Sequence, residues 1–158
     1  MLSVELQGAI NNLRISDVYF DKVDAEVFNR TFSLGEHKFI VEHKFGVNSF
    51  EVREVDKQTY VYFKFEAGVR WIDKDDTVGE DKKSTENEKV LAHIECLLVG
   101  RYLMNKEQDE NTLREFAVKN CGIHIWPYWR EFLTSSCERL RLPKVMLPMT
   151  QFQINLPE

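Results

Sequence analysis

The run from Tyr60 to Trp71, Tyr-Val-Tyr-Phe-Lys-Phe-Glu-Ala-Gly-Val-Arg-Trp, decides the fold. Its odd positions, Val61, Phe63, Phe65, Ala67, Val69 and Trp71, are all apolar. Its even positions carry Lys64, Glu66, Gly68, Arg70 and two tyrosines. A period of two means a β-strand with one face in a core. A second run of the same kind covers Val90 to Tyr102, with Val90, Ala92, Ile94, Cys96, Leu98, Gly100 and Tyr102 on one side. Its other side mixes Leu91, Leu97 and Val99 with His93, Glu95 and Arg101. That half-apolar second face predicts cover by a partner rather than by water. Between the runs, Asp73 to Lys89 is the most polar stretch of the chain, which predicts a solvated loop at the tip of a long hairpin.

Upstream, Leu13–Phe20 reads as a strand from its β-branched and aromatic content, and Lys38–Val52 as another, with Phe39, Val41, Phe45 and Val47 at even spacing. Asp21–Glu36 between them is longer than a hairpin loop and carries Val27, Phe28, Phe32 and Leu34, so it predicts a crossover connection. Downstream the period changes. Thr112 with Glu115 reads as a capping box before Leu113, Phe116 and Ala117, and Gly122 as the end of that helix. Pro127 fits the first turn of a second helix, whose apolar stripe is Trp129, Phe132, Leu133, Ser136 and Leu140. Pro143 and Pro148 predict an extended tail. Four strands followed by two helices give a single α+β domain over residues 1–158: a four-stranded antiparallel sheet with a crossover connection and two C-terminal helices on one face.

Composition narrows the chemistry. With 158 residues and 43% hydrophobic content, the chain can bury a core without disulfides. A net charge of −5 argues against nucleic-acid binding, which needs a basic surface to replace phosphate counterions. Cys96, Cys121 and Cys137 are odd in number and widely spaced, the pattern of reduced buried thiols. The first twelve residues lack a basic stretch followed by an apolar run, so no export signal is expected and a cytoplasmic location is. Glycine-rich phosphate loops, GxSxG and HExxH are all missing. Cys121 and His124 stand at C-x-x-H spacing, but a zinc site needs a second pair and a nucleophile needs an orienting third group. The expectation is a protein that is not an enzyme and carries no cofactor or metal. Trp126, Tyr128 and Trp129 gather at one helix start, where they serve either the core or a groove for an extended peptide.

The stretch Ile123–Phe152 carries a resemblance. An apolar residue before Pro-Tyr, then Arg-Glu, a Ser/Thr-rich helix with a later Arg, a Pro, an alternating Leu/Val segment and a Pro before Phe follow in order. These are Trp126, Pro127, Tyr128, Arg130, Glu131, Thr134, Ser135, Arg139, Pro143, Val145, Leu147, Pro148 and Phe152. In this the chain resembles the SecB family of export chaperones, and the strand-helix order fits that family along most of the sequence. Ile15–Asp21 looks like the family's first strand, with two acidic residues four apart, and Leu91–Tyr102 like its fourth. There are departures: Leu140-Arg141-Leu142 stands where the family usually has glycine, and the segment before Phe152 is one residue longer. The family's acidic tail, which engages the SecA motor, has no counterpart before Glu158.

The resemblance implies a holdase for unfolded polypeptides, a homotetramer built as a dimer of dimers, and no membrane insertion. The apolar residues of the crossover and the second helix, Val27, Phe28, Phe32, Leu34, Trp126, Trp129 and Phe132, are the expected client-binding set, with Trp129 and Phe132 the most buried. The resemblance places a SecA-like partner on an acidic patch of Asp17, Asp21 and Glu95. The missing tail leaves open a chaperone dedicated to a toxin–antitoxin pair instead of one serving export. A small-ligand binding protein or hydrolase on a curved sheet is the reading from another class, and would show a convergent polar set in one closed pocket.

Overall fold

The computed structural model describes residues 2–30, 38–74 and 89–149. The architecture is the expected α+β domain, with one element added in front. Helix α1 (Val4–Asn12) leads directly into strand β1 (Leu13–Val27), followed by β2 (Phe39–Val55), β3 (Gln58–Asp73) and β4 (Val90–Met104). Helix α2 (Glu110–Phe116) then runs through a π turn (117–121) into α3 (Gly122–Leu140). The antiparallel strands lie in the order β1-β4-β3-β2. The two periodic runs thus form the centre of the sheet. Their period-two apolar positions, among them Phe63, Phe65, Trp71, Ile94 and Leu98, are fully buried under the helices.

Both outer strands run further than alternation predicts, for one physical reason. β-Bulges at Ser16, Asp21 and Asn48 each add a residue and reverse the inside–outside parity beyond it. Corrected for Asp21, the pattern Val23, Ala25, Val27 toward the helices is regular, so β1 continues through what reads as the first third of the crossover. The connection to β2 is the shorter span from residue 28 to 38. It must pass from one edge of the sheet to the other, about 14 Å across three interstrand gaps. Its start is fastened twice. The Phe28 and Asn29 amides both donate to the Leu91 carbonyl, and Arg30 Nη1 donates to the Leu140 carbonyl at the end of α3 at 2.6 Å. Phe32 and Leu34 lie outside the described residues.

The helical layer departs from the expected boundaries. The cap of α2 is Asp109, not Thr112: its carboxylate accepts from the Thr112 amide at 2.9 Å and from the Thr112 hydroxyl at 2.8 Å. Glu115 instead accepts from the Ser3 hydroxyl and from Lys119, tying α2 to α1. Gly122 ends nothing, because the π turn carries the helix through it. Pro127 therefore sits inside α3. It removes the donor for the Ile123 carbonyl, and Ile123 faces solvent, where water can replace that bond. Helix α1 was not foreseen. Ser3 caps it, its hydroxyl accepting from the Leu6 amide, and Leu6, Ala9 and Leu13 supply its buried face.

Two turns use left-handed backbone without glycine. Asp56 and Lys57 (φ 51° and 64°) make the two-residue turn between β2 and β3. Arg141 (φ 56°) closes α3, with the Leu142 amide donating to the Cys137 carbonyl, at the place where the SecB family usually has glycine. A side chain in that region costs about 1–2 kcal/mol, partly offset by the freedom glycine adds to the unfolded chain. Lys57→Gly and Arg141→Gly are each expected to raise stability by about 0.5–1 kcal/mol, read as a higher urea midpoint at unchanged slope. A lower midpoint in both would contradict the strain.

Candidate functional site

The helical layer is narrower than the sheet beneath it, and this gives the site its shape. α3 lies over the centre and its ring contacts reach both edges: Phe132 packs on Phe20 of β1 (4.8 Å between centroids), and Trp126 meets Phe45 of β2 edge-on at 5.0 Å. Beyond those contacts the apolar side of each edge strand stays uncovered. On β1, Ile15 is 47% and Val23 50% exposed, and Val27 is half-buried. On β2, Val47, Phe50 and Val52 form one wall of an open slot of about 680 Å³, whose other wall is Leu113, Arg114 and Val118 of α2 and the π turn. The residues with which the slot's polar rim begins, Glu110 and Arg114, are paired with each other at 2.6 Å. The slots are apolar floors beside strand edges whose outward main-chain groups have no strand partner among the described residues.

The residues expected to bind clients divide by burial. Trp126 and Trp129 are buried and form the floor under the helix layer. Phe132, expected among the most buried, is only half-buried, because it lies at the β1 margin between Phe20 and Trp129. Phe28 is 56% exposed and its ring lies 5.6 Å from His93, on the side of the sheet away from the helices. Val27 and Phe28 thus border β1 on opposite faces.

The three acidic residues do not converge. On the uncovered face of the sheet Asp17 stands opposite Arg101, and Glu95 opposite Asp24. Positions 95 and 101 are about 20 Å apart along β4. Asp21 sits in a bulge. Glu95 is bonded to Lys44 at 3.4 Å, although their strands are not neighbours. Lys44 reaches it by lying across Gly68 of the intervening β3: a Cβ there would come within 2.8 Å of Lys44 Cε. This face is balanced rather than acidic. The register sets Arg14, Lys22, Lys44, Arg53, Lys64, Arg70 and Arg101 among Asp17, Asp24, Glu26, Glu42, Glu51, Glu66 and Glu95. Part of its apolar surface is covered, since Leu91 and Val99 are buried and Arg101 and Arg53 lie over the rings of Tyr60 and Tyr62, while Phe28 and Ile40 stay exposed.

Cys121 and His124 meet in a different chemistry from the one their spacing suggests. Tyr102 of β4 lies between them, fully buried, its hydroxyl 2.8 Å from His124 Nδ1 and hydrogen-bonded to the Cys121 thiol. Burial pushes the Cys121 thiol up to about 12 and the Tyr102 phenol above its usual range, so neither is a nucleophile at neutral pH. Burial likewise pushes Cys96 up to about 12 and raises Cys137. Among the described residues no group of three or more His, Cys, Asp or Glu could hold a metal, and no helix is long and apolar enough to cross a membrane. Gly100 lets this corner close: a Cβ there would lie 3.2 Å from both Cys121 Sγ and Ile125 Cδ1.

No family model matches the chain, and neither does any curated protein. Among solved structures it is similar to the Mycobacterium tuberculosis SecB-like chaperone Rv1957, in complex with a ChAD peptide from the HigA1 antitoxin Rv1956. The TM-score is 0.67 at 13% identity, over 91% of this chain and 95% of that one. The chain therefore has a SecB-like fold.

Partial desolvation lowers the proton affinity of His124 where its ring stacks on Tyr102, and lowers that of His43; both residues stay largely exposed, so each contributes only a small share of stability. The unfolded chain then binds protons more readily than the folded one, so stability is full above the ordinary histidine range near pH 6.5 and falls as pH drops below it. The urea midpoint is expected to fall between pH 7.5 and 5.5, and His124→Gln to flatten part of that slope. A wild-type midpoint that rises toward pH 5.5 would contradict the assignment.

Proposed function

We propose that this protein is a SecB-like chaperone, a holdase that keeps non-native polypeptides in an extended, unaggregated state. The observation that carries the reading is the pair of apolar margins left where the helices stop short of the edge strands. An extended segment can pair its backbone with a strand edge and drop alternate apolar side chains onto the margin. Such contacts ask for apolar spacing and an unfolded main chain, not for one sequence. Burying a single large side chain is worth ~1.5–3 kcal/mol, so a few anchors reach micromolar affinity after ordering costs.

In this reading Val27, Phe28 and Phe132 contact the client at the β1 margin, with Phe32 and Leu34 of the connection, while Trp126 and Trp129 support the surface from beneath. Ile15 and Val23 extend the margin, and Val47, Phe50 and Val52 form the second one. A client dedicated to a toxin–antitoxin pair is the favoured alternative to general export, because the similar solved structure holds an antitoxin peptide. An export role through a basic SecA-like partner would use the exposed Asp17 and Asp21, with Glu95 reached only by breaking its bond to Lys44. The self-paired face makes that role the less favoured. The open slots also favour a chaperone over a small-ligand protein or hydrolase, which needs a closed pocket with converging polar groups.

The protein works in the cytoplasm as a homotetramer, a dimer of dimers. Ile123 and Tyr128, both exposed on α3, supply apolar surface that such an assembly would bury, since symmetric assemblies bury apolar surface against copies of themselves. The test combines light scattering with fluorescence titration of a reduced, carboxymethylated protein. A tetramer with micromolar client affinity is expected, and Phe28→Ser with Phe32→Ser should weaken binding about tenfold, or roughly 1.4 kcal/mol, with a modest loss of thermal stability. A monomer that binds no unfolded protein would remove the reading.

A further inference from the structure

The segment after α3 lies on the protein's own surface as a peptide ligand would. Its start is fixed by Leu142, which is buried and bonded to the Cys137 carbonyl, by Lys144 paired with Glu138 of α3 at 3.2 Å, and by the Val145 backbone bonded to Cys137. From Leu142 to Met149 the chain is extended, and it joins no strand of the sheet. Val145 and Leu147 turn inward and pack on the core, while Lys144 and Met146 face outward, Met146 being 84% exposed. Two side chains of α3 grip its main chain: Trp126 Nε1 donates to the Pro148 carbonyl at 2.9 Å and Arg130 Nε to the Leu147 carbonyl at 3.2 Å. The Trp126 ring also packs against Phe45, so the tail lies in a slot whose floor spans α3 and β2.

Alternate apolar side chains facing inward, with main-chain carbonyls held by side-chain donors, are the contacts by which a surface binds extended peptides of many sequences. Neither grip reads the identity of a tail residue. We propose that residues 143–149 are an intramolecular stand-in for an extended apolar client, and that the slot between α3 and β2 is a further client site for which tail and client compete. The inference rests on the chaperone reading and adds a regulated site to it. A tethered segment acts at an effective concentration of about millimolar, so an outside peptide meets a site that is mostly occupied. Its apparent affinity falls by the fraction of sites left open.

The test uses a fluorescently labelled synthetic peptide with the sequence of residues 142–149, titrated against the full chain. Val145→Ser with Leu147→Ser loosens the tail without altering the slot, and should tighten probe binding tenfold or more. Arg130→Gln added to that variant should weaken it again. Equal affinity for wild type and a cooperatively melting double variant would overturn the proposal. A second measurement needs no variant. Amide exchange at residues 145–149 of the wild type should accelerate when a reduced, carboxymethylated client saturates the protein, and unchanged or slower exchange there would also overturn it. Tight probe binding to the loosened variant, with no binding of unfolded protein by either form, would support the slot as a peptide site and strike at the chaperone reading alone.

Discussion

One long helix, two short ones and a π turn do not cover both edges of a sheet of four long strands, and the rest of this structure follows from that mismatch. The strands run 15 to 17 residues, and the central pair alone supplies enough buried aromatic and aliphatic surface to set the layer. α3 spends its apolar stripe on that pair, with Trp129 and Leu133 buried to 1% exposure or less. Among the described residues, no helix lies over what remains apolar on β1 and β2. In most domains such remainders would be polar. Here they are valine, isoleucine and phenylalanine beside open strand edges, a pairing that exposes a protein to aggregation unless something is meant to bind there.

The opposite face solves most of its exposure internally. Acidic and basic side chains are mixed across it in similar numbers, Glu95 is bonded to Lys44 across Gly68, and arginines lie over the Tyr60 and Tyr62 rings. The two faces therefore differ in character: the helix side carries the apolar margins, and the other is mostly paired charge, with Phe28 the large apolar side chain exposed at its β1 end. The Tyr102 corner, where β4 meets the end of the π turn, keeps the helix layer in register with the sheet and so fixes the width of the slot that Val118 lines.

The sequence makes the centre of the fold plain, because β3 and β4 alternate without a bulge across Tyr60–Trp71 and Ala92–Leu103. It hides the edges, because Ser16, Asp21 and Asn48 each invert the parity that alternation reads. The helix boundaries are hidden for a related reason: a π turn lets Gly122 and Pro127, both usual boundary residues, sit inside continuous helix. α1 carried a legible signal, Ser3 followed by Leu6, Ala9 and Leu13. Of the site, the half-buried Val27 and the exposed Phe28 could be picked out as apolar residues in excess of a loop's needs. The pairing of Glu95 with Lys44 could not, since it spans a strand and depends on a glycine in that strand. The hold of Trp126 and Arg130 on tail carbonyls was equally hidden, because main-chain acceptors leave no mark in a sequence.

The most direct measurement of the central claim is a methyl-detected NMR titration of the isotopically labelled protein with a reduced, carboxymethylated client. The uncovered margins predict that Ile15, Val23, Val27, Val47 and Val52 shift or broaden first, while the buried Val61 and Ile94 and the opposite-face Leu97 and Leu103 stay in place. Perturbation confined to Leu97 and Leu103, with the margin methyls unmoved, would contradict it.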